Sequence, residues 1–163
     1  GAGTINRSIL NSLNEIPDQV QVLWQCGKYY YEKLLPEVER HKKDNVKLTA
    51  FINDMDKAYH IASIIISRAG AGTISELQIV GKPTILVPSP NVAEDHQKKN
   101  ALALVSKSAA IMVEDHEAEE KLVKASMNLL DDVKKRKDLS ENILKLALPN
   151  SAENIAEEIF KLL

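Results

Sequence analysis

The stretch from Ile64 to Pro88, IIISRAGAGTISELQIVGKPTILVP, leaves this chain little choice of fold. The β-branched run Ile64-Ile65-Ile66 reads as a buried strand, and Ser67 to Gly72 is a small-residue loop. Thr73 followed by Glu76 has the form of a capping box, so the sequence predicts a helix with its N-cap at Thr73. Gly81 and Pro83 stop that helix before the next apolar run, Thr84 to Val87. The unit is therefore strand, glycine loop, helix, strand. In such a unit the loop's N–H groups and the positive end of the helix dipole converge on one spot, where a phosphate is the natural guest, and Arg68 is placed to add a charge. A tight connection in an ordinary βαβ unit is the other reading, and the glycines alone do not choose between them. Two familiar phosphate loops are excluded. No Lys-Ser/Thr pair follows the glycines as a P-loop requires, and Gly70-Ala71-Gly72 lacks the third glycine of the dinucleotide fingerprint. The run Val20 to Cys26 ends in Gly27-Lys28, with no acid placed to hold a nicotinamide ribose.

The rest of the chain repeats the same alternation. Thr4 to Ile16 carries Ile5, Ile9, Leu10 and Leu13 at amphipathic-helix spacing, and Val20 to Gln25 reads as a strand. Lys28 to His41 is helical, Val46 to Ile52 is a strand, and Asn53 is expected to cap a helix to about Ile61. Glu94 to Lys107 is helical and Ala109 to Val113 a strand; helices over His116 to Val133, Leu139 to Leu148 and Ser151 to Leu163 complete the chain. Strands alternating with helices predict an α/β fold, a Rossmann-like parallel sheet with helices on both faces and ligands at the strands' carboxyl ends. A chain of this class normally opens on a strand, and here the first element is a helix, so a first strand is expected to be missing. The 163 residues suffice for one buried domain, and a net charge of −2 gives no polyanion footprint, so no nucleic-acid partner is expected. Cys26 is alone, which fits a reducing compartment.

Several residues invite chemical readings. Asp54-Met55-Asp56 has the acid-x-acid form of some metal sites, but acids in a first helical turn complement the dipole, and that reading is preferred. Lys134-Lys135-Arg136-Lys137 could form a membrane or nucleic-acid patch, but cations at the C-terminal end of a helix are the ordinary arrangement, and a solvated face is preferred. His41 and His116 read as surface residues, and His60 as a satisfied structural histidine beside the core. Lys98 and Lys99 are assigned to solvent. His96 and Gln97 fall in the first turn of a helix at the sheet's carboxyl edge, beside the glycine loop, where a pocket wall and a plain surface helix start are both open.

The run Ser67 to Glu76, then Gly81-Lys82-Pro83, Pro88 and Glu94-Asp95-His96-Gln97-Lys98-Lys99-Asn100-Ala101, together resemble the C-terminal, donor-binding half of the MurG family. These are bacterial N-acetylglucosaminyltransferases that convert lipid I to lipid II in peptidoglycan synthesis, and the likeness runs from Thr4 to Leu163. The resemblance implies a GT-B glycosyltransferase whose C-terminal domain binds UDP-N-acetylglucosamine. It implies that Glu76 bonds the ribose hydroxyls, that Ala71, Gly72 and Thr73 approach the diphosphate and sugar, and that Arg68, His96 and Gln97 line the pocket. The backbone of Ile52 would face the uracil. Asn100 would hold the helix. His96 stands where relatives often have Gln. Relatives also have a first strand ending in a glycine-rich turn, of which Gly1-Ala2-Gly3 keeps at most a remnant.

The resemblance further implies an inverting hexosyltransferase acting in one displacement, the leaving diphosphate being met by a helix dipole rather than by a bound metal. Its general base, lipid I surface and membrane-binding patch belong to the N-terminal domain. No catalytic residue, metal ligand or cofactor is therefore expected in this chain, and alone it is expected to be inactive. Residues 1–163 form the donor-binding domain in this reading, with the final helix, 151–163, reaching toward the N-terminal domain. The full-length enzyme would be cytoplasmic, at the inner face of the bacterial inner membrane. The other readings are a UDP-N-acetylglucosamine 2-epimerase-like GT-B enzyme and a nucleotide-sugar-binding module without turnover.

Overall fold

The computed structural model describes residues 2–150, 156 and 159–161. The chain opens on α1, Gly3–Asn11, which turns Ile5 and Ile9 inward and runs on through a 3-10 turn that buries Leu13. Then β1 (Val22–Gln25) leads to α2 (Lys28–His41), and β2 (Val46–Thr49) to α3 (Met55–Ile61). β3 (Ile65–Ser67) leads to α4 (Ala71–Val80), β4 (Thr84–Leu86) to α5 (His96–Val105), and β5 (Ile111–Met112) to α6 (Ala118–Asp131) and α7 (Val133–Leu144). The strands are shorter than their apolar runs: β2 ends at Thr49 rather than Ile52, and β5 keeps only two residues. The segments at 94–107 and 116–133 each begin with a 3-10 turn ahead of the α-helix. Helix α3 has Asp54 rather than Asn53 at its N-cap. Lys134 to Lys137 stand at the start of α7, which opens at Val133, rather than at the C-terminal end of a helix. The predicted helix over 151–163 lies largely outside the described residues.

All strand pairs are parallel, but they form two sheets, β1–β2 and β3–β4–β5, where one was expected. The reason lies in which edges are used. Val22 and Cys26 donate their N–H groups to Asn45 and Thr49 on the β2 side, so alternation turns those of Leu23 and Gln25 the other way. Ile65 likewise bonds Pro83 on the β4 side, leaving Ile64 and Ile66 on the free edge of β3. No ladder joins β1 to β3. Side chains of both sheets nevertheless feed one apolar cluster: Trp24 and Val46 from the first, Ile66 and Ile85 from the second, with Ile9, Leu122 and Leu129 from the helices. Inside it Asn6 is fully used, accepting from Trp24 Nε1 at 2.9 Å and donating to the Cys26 carbonyl at 3.0 Å.

A second cluster surrounds the glycine loop. Ala69, Ile74, Leu77, Leu86, Ala101, Leu104 and Ile143 bring α4, β4, α5 and α7 together. Gly81 ends α4 in the left-handed conformation at φ +68°, its N–H bonded to the Leu77 carbonyl. A Cβ there would strike Leu144 of α7 at 2.4 Å, so glycine is required by backbone and packing alike. The helix stop at Gly81 and Pro83 thus stands where the sequence predicts it.

Candidate functional site

Helix α4 rises directly from the carboxyl end of β3. Gly70 is its N-cap, with extended backbone at φ −66°, ψ 148°, and makes no side-chain cap. The first intrahelical bond runs from Ile74 N–H to the Gly70 carbonyl, so the N–H groups of Ala71, Gly72 and Thr73 have no intrahelical partner. The predicted capping box is therefore not formed. The helix starts at Ala71, two residues ahead of Thr73, which puts Thr73 and Glu76 inside its turns rather than at its cap. Glu76 instead accepts a hydrogen bond from Tyr59 of α3 at 3.3 Å. Burial, followed by the Glu76 charge and that bond, pushes the Tyr59 hydroxyl up from its ordinary value, keeping it a neutral donor.

The glycines here answer to space, not to torsion. Gly72 is not left-handed, and a Cβ added to it meets nothing within 4 Å. Open space thus lies beside the unpaired N–H groups at the positive end of the helix dipole, an arrangement suited to a diphosphate.

Helix α5 fixes the loop in place. Gln97 Oε1 accepts from Ala69 N–H at 3.3 Å and from Ser89 N–H at 2.9 Å, while Asn100 Nδ2 donates to the Ala69 carbonyl at 3.1 Å. Ala69 is held at both ends of its backbone. The Gln97 oxygen thus serves two N–H donors, which fixes the orientation of its amide. Ahead of α5, Glu94 and Asp95 are both left-handed, at φ 52° and 54°, a costly conformation for residues with side chains that turns the chain abruptly into the helix. His96 stands exposed at the rim, its Nε2 3.7 Å from Glu94.

Arg68 is already engaged. Its Nη1 donates to the Val87 carbonyl at 3.0 Å and pairs with Asp115, which also accepts from Thr4 at 3.0 Å. The pair is about four-fifths buried, at 22% and 19% side-chain exposure. Arg68 thus ties β3, β4, α1 and the turn before α6 together below the glycine loop. Ile52 stands beyond β2 and belongs to the other sheet's edge; its N–H donates to Gln25 Oε1 at 2.8 Å.

The structure therefore gathers Arg68, Ala71, Gly72, Thr73 and Gln97 about one loop, with Glu76 a turn further along, His96 at the rim and Ile52 apart. Sequence reasoning missed the partners that hold them: Asp115, Tyr59, Gln25 and the Gln97–Asn100 clamp on Ala69. Two further assignments change. Lys98 pairs with Glu114 at 2.8 Å, a bond that raises its pKa, and His60 is exposed rather than a core histidine. Asp54 pairs with Lys57 at 3.1 Å, and among the described residues no cluster of His, Cys, Asp or Glu has the makings of a metal site.

A parallel α/β fold with an uncapped helix end at its carboxyl edge shares the architecture of the C-terminal domain of a GT-B glycosyltransferase. The chain belongs to the glycosyltransferase family 28 C-terminal domain, which it matches over residues 1–159. It is 53% identical over 165 residues to the UDP-N-acetylglucosamine–N-acetylmuramyl-(pentapeptide) pyrophosphoryl-undecaprenol N-acetylglucosamine transferase of Bacteroides thetaiotaomicron, covering 99% of this chain and 44% of that protein. It is 51% identical to the enzyme of the same name from Cytophaga hutchinsonii, covering 100% of this chain and 43% of that one. The crystal structure of Acinetobacter baumannii MurG superposes with a TM-score of 0.87 at 26% identity, over 99% of this chain and 47% of its own. A glycosyltransferase of kitacinnamycin shares the fold, with a TM-score of 0.66 at 20% identity over 94% of this chain and 38% of its own. The chain spans less than half the length of the curated relatives it matches.

Proposed function

We propose that this chain is the donor-binding domain of an enzyme that transfers N-acetylglucosamine from UDP-N-acetylglucosamine to lipid I, making lipid II. The observation that carries the proposal is the start of α4: three N–H groups without a helical partner, beside a glycine whose missing Cβ leaves open space, in a chain 53% identical to a transferase of that name. In this reading Ala71, Gly72 and Thr73 receive the diphosphate, the Gln97 amide meets the sugar with His96 beside it, Glu76 accepts from the ribose hydroxyls, and the Ile52 loop faces the uracil. Arg68 acts through its pair with Asp115, holding the loop at the height the phosphates need.

The chemistry is a single displacement. The acceptor hydroxyl attacks the anomeric carbon, the bond from that carbon to the diphosphate oxygen breaks, and UDP leaves with the electron pair. The charge growing on the leaving oxygen is met by the N–H groups and dipole of α4, which are oriented before reaction begins and need no reorganisation. Acceptor binding, the general base and membrane attachment belong to an N-terminal domain. Among the described residues no helix is long and apolar enough to cross a membrane, and the proposed location of the full enzyme is the cytoplasmic face of the inner membrane. Calorimetric titration with UDP, UDP-N-acetylglucosamine and UDP-glucose tests the reading. It expects UDP and UDP-N-acetylglucosamine to bind and UDP-glucose to bind more weakly; equal affinity for both sugars, or no binding by any of the three, overturns it.

A further inference from the structure

One hollow lies away from the glycine loop. It is an open depression of about 380 Å³ at the opposite edge of the β3–β4–β5 sheet, walled by Ser63 just before β3, Lys82 and Pro83 just before β4, and Arg136 and Lys137 of α7. Three cations line it. The Lys82 ammonium is held over the last turn of α3, donating to the His60 carbonyl at 2.8 Å. Lys137 lies 3.8 Å from Glu141, a long contact across an exposed helix face. Arg136 has neither: among the described residues its guanidinium has no ion-pair partner, and its Nε is sealed from solvent without a hydrogen bond. The acid nearest in sequence, Asp132, is committed to capping α7 through the Lys135 N–H at 2.8 Å.

A buried N–H of a charged group is costly to leave unpaired, and an orphan of this kind in a folded protein marks a place for an acceptor. Stem packing can cover Nε but supplies it no acceptor, and Lys82 and Lys137 line the same hollow. The edge of a guanidinium formed by Nε and one Nη matches two oxygens of a single oxyanion, and two lysines beside it favour a group carrying more than one negative charge.

We propose that this hollow is a phosphate-binding site, separate from the donor site and at the other end of the same sheet. A phosphate or phosphodiester oxygen pair would bridge the Arg136 edge after a small turn of the guanidinium, with Lys82 and Lys137 neutralising the remaining charge. Ile61 and Val133, exposed at 75% and 68%, flank the mouth, so the phosphate could be free in solution or the headgroup of a lipid.

Nitrogen-edited NMR that follows the Arg136 Nε–H and the Ile61 to Ser63 amides, with inorganic phosphate added at constant ionic strength, tests the free form. Sedimentation with phosphatidylglycerol or phosphatidylcholine vesicles tests the lipid form. A saturable phosphate shift at these positions, lost in Arg136→Met, supports the site with a soluble ligand. Capture by phosphatidylglycerol vesicles only, also lost in Arg136→Met, supports it with a lipid headgroup. Arg136→Lys, which keeps the charge and loses the fork, serves as the second variant should the first not fold, and is expected to weaken binding about tenfold. The proposal is overturned by shifts confined to Ala71–Thr73, or by phosphate shifts that never saturate together with vesicle capture that is absent or the same for both lipids.

Discussion

Gly72 is the residue at which fold and function ask for different things. It sits in the first turn of α4 without a left-handed backbone, where alanine is the better helix former and free space awaits its methyl. Gly72→Ala is therefore expected to leave stability unchanged or to raise it by about 0.5 kcal/mol, since it also restricts the unfolded chain. In the proposed donor site the same methyl would stand where the diphosphate approaches. UDP affinity should fall at least tenfold in a calorimetric titration, while a thermal melt shows no loss; unchanged affinity would mean that no ligand comes near this helix end. Glu76 offers the complementary test. Because it caps nothing, Glu76→Gln and Glu76→Ala should both keep the melting temperature within a degree or two, apart from the small contribution of the Tyr59 bond. As a ribose ligand its charge matters, and the Gln variant should lose about 1 to 3 kcal/mol of UDP binding, the worth of a charge-assisted hydrogen bond. A Gln variant that binds UDP as well as the native chain leaves Glu76 with no role at the donor.

At the scale of elements, the Arg68–Asp115 pair joins segments that no backbone ladder connects. Asp115→Ala strips Arg68 and Thr4 of their shared partner, and is expected to cost about 2 kcal/mol in urea unfolding, less than a fully buried pair because both side chains keep some solvent. A loss below about 0.5 kcal/mol would reduce the pair to an ordinary surface contact. The sheet carries a second test. Leu23 and Gln25 on β1, Ile66 on β3 and Ile64 just before it direct their N–H groups away from the ladders, so these amides should exchange fast relative to Trp24 and Ile65. In a longer protein with a strand ahead of Gly3, all four should become protected; if they stay open, the expected first strand does not lie between these edges. What was legible in the sequence follows the reach of each interaction. The βαβ order was readable because β-branched runs, Gly81 and Pro83 act locally. The capping box was misread because Thr73 and Glu76 have the right spacing, while the extended Gly70 and the small residues after it let the helix begin earlier. A resemblance in their motifs proposes the site residues but says nothing of the groups that hold them. Gln97 meets Ala69 across 28 positions and Arg68 meets Asp115 across 47, and no local pattern encodes such pairs.

At the scale of the whole molecule, the question is what this chain does without a partner domain. Ile159 and Phe160 are exposed at 54% and 74%. In the proposed two-domain enzyme that surface belongs against the N-terminal domain. Alone, the chain should self-associate through it at high concentration, and Phe160→Ser should lower that tendency in sedimentation velocity. The catalytic forecast rests on the groups around the glycine loop. Asp115 is bound to Arg68 and Thr4, Glu76 accepts from Tyr59 along the helix, and His96 sits at the rim near Glu94. None is held with the geometry of a base and an orienting partner aimed at an acceptor hydroxyl. In the proposed reading the site offers fixed positive potential for the leaving group, which lowers the barrier only when a nucleophile is also in place. Incubated with UDP-N-acetylglucosamine and a lipid I analogue, the chain is therefore expected to bind the donor and form no disaccharide. The same donor and acceptor mixed with a two-domain relative should give product. Steady turnover by this chain alone would put the base and the acceptor site within these 163 residues and overturn the division of labour between two domains.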